Sequence, residues 1–152
     1  MEHARHSAKA DVPSDALQIR RGTQAELPLY VAIVGGGKAC SDLLRLLDTD
    51  RLSRLKMKIL GVFDGRPEAP GLRYAKELNL FVTHSMEDLF RLEGLNLIIE
   101  LTGSVALQDE IYAKRPVGVS VMDHKAARLL WDFLQIEVER ASLEQERQTY
   151  RR

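Results

Sequence analysis

The residues best placed to do chemistry sit at the ends of apolar runs. Gly35, Gly36 and Gly37 follow VAIV, Asp64 follows GVF, Thr102 and Gly103 follow LIIEL, and Lys125 comes shortly after VSVM. Three successive glycines let the backbone turn sharply and bare its N–H groups. A helix starting at once, with Lys38 and Ala39 in its first turn, adds unpaired amides and a positive macrodipole end, which together favour an anion such as a phosphate. Asp64 supplies a carboxylate suited to accepting hydrogen bonds from vicinal hydroxyls. Gly65 and Arg66 follow it directly, and Arg66 moderates its charge.

These positions need strands that end together and helices that start together. Leu29 to Val34 reads as a strand buried on both faces, and Lys38 to Leu47 as a helix with Leu43, Leu44, Leu46 and Leu47 inward. Arg51 to Arg54 is a connecting turn and Met57 to Phe63 a second strand, with Gly65 to Gly71 a loop by its Gly and Pro content. Leu72 to Leu78 is a short helix stopped at Asn79, and Leu80 to Thr83 a short strand. Ser85, with Asp88 three residues on, opens a helix to about Arg91. Leu95 to Leu101 is the fourth strand, a helix capped by Ser104 runs to about Lys114, and Val117 to Met122 is the fifth strand. Asp123 caps a last helix that runs from His124 to the end without a Gly or Pro. Strands alternating with helices predict an α/β fold: a Rossmann-like, doubly wound parallel sheet of about five strands with a long C-terminal helix.

Composition narrows the function classes. The 22 basic and 22 acidic residues cancel, so no long-range field points to nucleic acid or an anionic membrane. A single cysteine excludes an internal disulfide, and no apolar run approaches the roughly 20 residues that span a bilayer. The N-terminal stretch lacks the apolar core of a secretory signal, so a cytoplasmic location is expected. The expected division is a disordered tail over 1–26, a nucleotide-binding domain over 27–135 and an exit helix over 136–152.

The glycine motif departs from GxGxxG at one place, where Cys40 replaces the third glycine. Strand, glycine turn, helix and second strand ending in Asp64 together point to a dinucleotide, with NAD expected over NADP because Asp64 repels a 2′-phosphate. Cys40 has two readings, a thiolate stabilised by the helix start and Lys38, or a small residue that packs; packing is preferred. His3 and His6 lack a third metal ligand, and His84 and His124 read as polar caps on loops. Asp64, Thr102 and Lys125 echo a phosphoacceptor receiver, but the first strand offers no acidic pair for Mg²⁺ and Asp64 is on the wrong strand.

VAIVGGG, GVFD, LIIELTGS and VSVMDHKAA together resemble the N-terminal NAD(P)-binding domain of homoserine dehydrogenases and related amino-acid and semialdehyde dehydrogenases, over about Leu29 to Leu134. The resemblance implies Gly35 and Gly37 at a pyrophosphate, Asp64 at a ribose, Thr102 and Gly103 on the nicotinamide side, and Lys125 as the family lysine. His124 stands where that family has Asn. Those enzymes carry most catalytic residues in a second domain, so catalysis by this stretch on its own is not expected.

MDHKAARLLWDFL leading into EQERQTYRR also resembles the junction between such domains and the PAS and histidine kinase modules of bacterial sensors. In the last helix Leu129, Ile136, Leu143 and Tyr150 recur every seventh residue, with Phe133, Arg140 and Arg147 between them, which makes half an apolar seam. The expectation is an NAD-binding sensory or regulatory domain without catalysis of its own, joined through the helix to a second copy or a downstream PAS or kinase module. An NAD-dependent oxidoreductase subunit and a degenerate interaction scaffold are the alternatives.

Overall fold

A computed structural model describes residues 28–49, 52 and 55–151. The expected N-terminal tail with His3 and His6, and most of the turn from Arg51 to Arg54, lie outside the described residues. Five strands, β1 (Leu29–Val34), β2 (Met57–Phe63), β3 (Phe81–Thr83), β4 (Leu97–Glu100) and β5 (Ser120–Met122), form one sheet in the order β3-β2-β1-β4-β5. Every pairing is parallel. The helices are α1 (Lys38–Leu47), α2 (Pro70–Glu77), α3 (Met86–Phe90), α4 (Val105–Lys114) and α5 (His124–Tyr150).

The apolar runs explain the layers. Val31 to Val34 of β1 are fully buried because helices cover both sides of the sheet. On one face Ile33 and Val62 pack with Cys40, Leu43 and Leu44 of α1, Leu72 and Ala75 of α2, and Leu134 of α5. On the other, Ala32, Val34 and Ile98 pack with Leu89 of α3 and Ile111 of α4. Ser85, Ser104 and Asp123 each accept a hydrogen bond from an amide in the first turn of α3, α4 and α5, as their positions predict. Asn79 ends α2 with a φ of 59°, a left-handed conformation that Asn tolerates.

Several element bounds depart from expectation, most of all at three starts. Pro70 and Gly71 belong to α2 and not to the preceding loop, with Pro in the first turn where its missing N–H costs nothing. β4 starts at Leu97, since the Asn96 side chain accepts from the Tyr30 N–H at 2.8 Å and donates to the Pro28 carbonyl at 3.3 Å. β5 starts at Ser120, because the turn bond from the Val119 N–H to the Pro116 carbonyl occupies the residues before it.

α5 carries two unlike faces. Ala127 and Leu134 are buried against the sheet, whereas Leu129, Phe133 and Ile136 on the outer side are about 60% exposed, followed by Leu143 and Tyr150. No helix among the described residues is long and apolar enough to cross a membrane.

Candidate functional site

β1 sits between β2 and β4, so the chain reverses its direction of travel across the sheet at the β1/β4 boundary. A crevice opens beyond the carboxyl ends of the strands at such a switch point. Register brings the candidate residues there: Val34 lies level with Phe63 on one side and Glu100 on the other. Gly35, Asp64 and Leu101 therefore leave the sheet together. A groove of about 420 Å³ runs over this edge, walled by Gly35, Gly37, Lys38 and Ala39 on one side, Asp64, Gly65 and Arg66 on another, and Leu101, Thr102 and Leu107 on the third. Its size suits a small-molecule site.

The glycine turn is built for close approach. Gly35 has a φ of +112°, and a Cβ there would lie 2.8 Å from the Thr102 Cγ2. The first backbone bond of α1 runs from the Ser41 N–H to the Gly37 carbonyl, and Gly37 offers no side chain as a cap. No acidic residue lies in the first turn. The amides at the start of α1 thus face the groove without a side-chain acceptor, which is the arrangement that takes a phosphate.

Gly71 was not singled out by the sequence, yet it is the tightest contact of this region. Its N–H donates to the Gly36 carbonyl at 2.6 Å, and a Cβ at Gly71 would stand only 2.6 Å from that oxygen. The start of α2 therefore rests directly on the glycine turn. Cys40 closes the same contact: its Cβ is 2.9 Å from where a Gly71 Cβ would be. Burial pushes the Cys40 thiol up to about 12, and the Asp64 carboxylate adds to the shift. The thiolate reading is overturned, since desolvation outweighs the helix start and Lys38.

Asp64 is 6% exposed. It accepts from the Gly36 N–H at 2.8 Å, the Arg66 N–H at 2.8 Å, and the Arg66 guanidinium at 3.1 and 3.2 Å. Burial alone would raise its carboxyl, but the Arg66 side chain and these backbone donors outweigh it and hold the group below the usual carboxylate range. The Gly36 N–H is consequently engaged with Asp64 and not free for an anion. The Arg66 side chain is 70% exposed, so it lies over the carboxylate as a displaceable cover. His84, on the loop after β3, is a polar cap as expected: its Nδ1 lies 2.8 Å from the Asp64 carbonyl oxygen and steadies the end of β2.

Thr102 lines the groove, but neither it nor Gly103 stands alone. Both are held by Glu100, which sits within the LIIELTGS run and whose role no local signal marks. Glu100 is 0% exposed. Its Oε1 accepts from the Thr102 hydroxyl at 2.6 Å and the Gly103 N–H at 2.7 Å, and its Oε2 accepts from the Gln108 amide at 2.8 Å. Burial opposes ionisation, yet Thr102, Gln108 and the turn amides outweigh it and keep the carboxyl below its ordinary range. His124 Nδ1 lies 3.3 Å from the same Oε2 and 3.0 Å from the Gln108 amide nitrogen. His124 is thus no loop cap but the first residue of α5, tied to the buried carboxylate; Asp123 does the capping. Lys125, by contrast, is exposed and borders neither the groove nor the pocket beside His124.

No protein-family model matches the chain, and no curated protein matches it. Among solved structures, GenD2 from gentamicin A biosynthesis, crystallised in complex with NAD, aligns over 69% of this chain at 18% identity and a TM-score of 0.47. The aligned part is 29% of that chain, so this chain spans less than a third of its length.

Proposed function

We propose that this chain binds a dinucleotide of the NAD type and acts as a cytoplasmic regulatory domain, not as an enzyme by itself. One observation carries the reading: the uncapped amide end of α1 opens into the same groove as the Asp64 carboxylate. The α1 amides and Lys38 would hold the pyrophosphate, and the ribose hydroxyls would donate to Asp64 in place of the Arg66 guanidinium. Leu101, Thr102 and Leu107 wall the far end, where the nicotinamide side is assigned. A bound NAD supplies hydride-transfer chemistry in other settings; here this chain's own residues bind and orient it.

The outer face of α5 supports the regulatory half of the reading. Leu129, Phe133, Ile136, Leu143 and Tyr150 form an exposed apolar line interrupted by Arg140 and Arg147, suited to reversible contact with a second copy or a following PAS or kinase module. Titration calorimetry with NAD, NADH, NADP and ATP tests the binding. The expected outcome is a dissociation constant for NAD below about 1 mM, equivalent to roughly −4 kcal/mol or better. Heats at the level of buffer for all four nucleotides would leave only an interaction scaffold.

A further inference from the structure

A second pocket, of about 300 Å³, lies between α1 and α5 and shares Ala39 and Leu101 with the groove. We propose that it is a separate ligand site for a small monocarboxylate that carries a hydroxyl or carbonyl oxygen beside the carboxylate. The site is a different one from the nucleotide groove and does not need that groove filled.

The chemistry follows from what lines it. His124 and Arg128 are one helical turn apart on α5, so their side chains project from the same face and reach adjacent groups of one ligand. The His124 Nδ1 is turned inward to Glu100 and Gln108, which leaves Nε2 as the ring nitrogen without a partner among the described residues. The inward contacts are of two kinds. A Nδ1 lone pair accepts from the Gln108 amide and puts the proton on Nε2, whereas a Nδ1 proton is donated to Glu100 and leaves Nε2 as an acceptor. His124 therefore meets a carbonyl in one state and a hydroxyl in the other, with its ring orientation held from behind by a buried carboxylate.

Arg128 supplies the anion-binding group, and no ion pair joins it to another described residue. Asp42 faces it from α1 without pairing to it, and its charge disfavours a second carboxylate on the ligand. Trp131 and Leu43 supply an apolar wall for the rest of a small molecule.

Trp131 is the chain's single tryptophan, so its fluorescence reports this pocket directly. Titration of the whole chain with lactate is expected to give a saturable change complete below roughly 10 mM. Lactamide, which lacks the charge, and hydroxymalonate, which keeps the hydroxyl and adds a carboxylate, are each expected to bind about tenfold more weakly or worse. Arg128→Gln, on an exposed side chain, is expected to weaken lactate about tenfold. His124→Asn is expected to abolish the preference for lactate over propionate. No saturable change with lactate, an equal response to lactamide, or an Arg128→Gln protein that binds like the parent would each overturn the proposal. Because NAD calorimetry reads the groove and Trp131 reads this pocket, either site can fail while the other stands.

Discussion

Two carboxylates flank β1 one residue apart in register, and they are opposites in how they are satisfied. Asp64, after β2, is held partly by backbone and partly by an arginine that is mostly in solvent. Glu100, at the end of β4, is fully buried and held at short range by a hydroxyl, an amide N–H and a glutamine side chain, all uncharged, with the His124 ring 3.3 Å away. Arg66 can give way to a ligand because its own side chain is mostly in solvent, while the Gly36 and Arg66 amides still hold the buried Asp64 carboxylate. Removing any partner of Glu100 strands a buried group. One carboxylate is therefore placed to exchange partners and the other to hold a turn, and a function that involves ligand exchange belongs to the first.

The sharpest way to break this contrast is to neutralise each in turn. Glu100→Gln should cost about 2 kcal/mol or more, because the new amide donors face the Gln108 amide and lose the charge-assisted bonds to Thr102 and Gly103. Chemical denaturation checks this. The Glu100 carboxyl is depressed in the fold relative to its ordinary value of 4.5. Its contribution is therefore fully present above pH 4.5 and lost as pH falls towards the folded value. The parent should lose stability through that acid window more steeply than Glu100→Gln, and superimposable acid profiles would show that the network carries no such weight.

Asp64→Asn should cost less stability, about 1 kcal/mol, since Asn still accepts from the Gly36 N–H. Its larger effect should fall on NAD affinity, weakened about tenfold or more by the loss of the charged acceptor for the ribose. Calorimetry beside denaturation separates the two effects. The smallest expected change is from Arg66→Gln. It should leave the melting temperature nearly unaltered and widen the preference for NAD over NADP, because Asp64 then meets a 2′-phosphate with its charge uncompensated. An unchanged NAD-to-NADP ratio would mean that Arg66 leaves the carboxylate untouched when nucleotide binds.

Much of the fold was readable because it is local. The unbroken apolar run of β1, the glycines before α1 and the caps at Ser85, Ser104 and Asp123 each depend on neighbours within a few residues, so composition and spacing expose them. Asp64 was readable for the same reason, as the polar residue closing a strand. The errors arose where distant elements meet. Gly71 reads as loop glycine from its neighbours alone, yet α2 rests through it on the glycine turn, and the same contact buries Cys40, in line with the packing reading. His124 looked like a cap because its partner, Glu100, lies 24 positions away on a neighbouring strand.

By itself, the sequence determined the alternation of strands and helices, the glycine turn with its helix start, the acidic end of β2 and the long closing helix. Each of these is set by backbone preference and hydrophobic period over short range. Tertiary structure alone decided which carboxylate is open and which is locked, which glycine bears the closest contact, and that a second pocket forms beside the first. Those outcomes depend on strand order and register, which set the neighbours of each side chain and how much water remains around it.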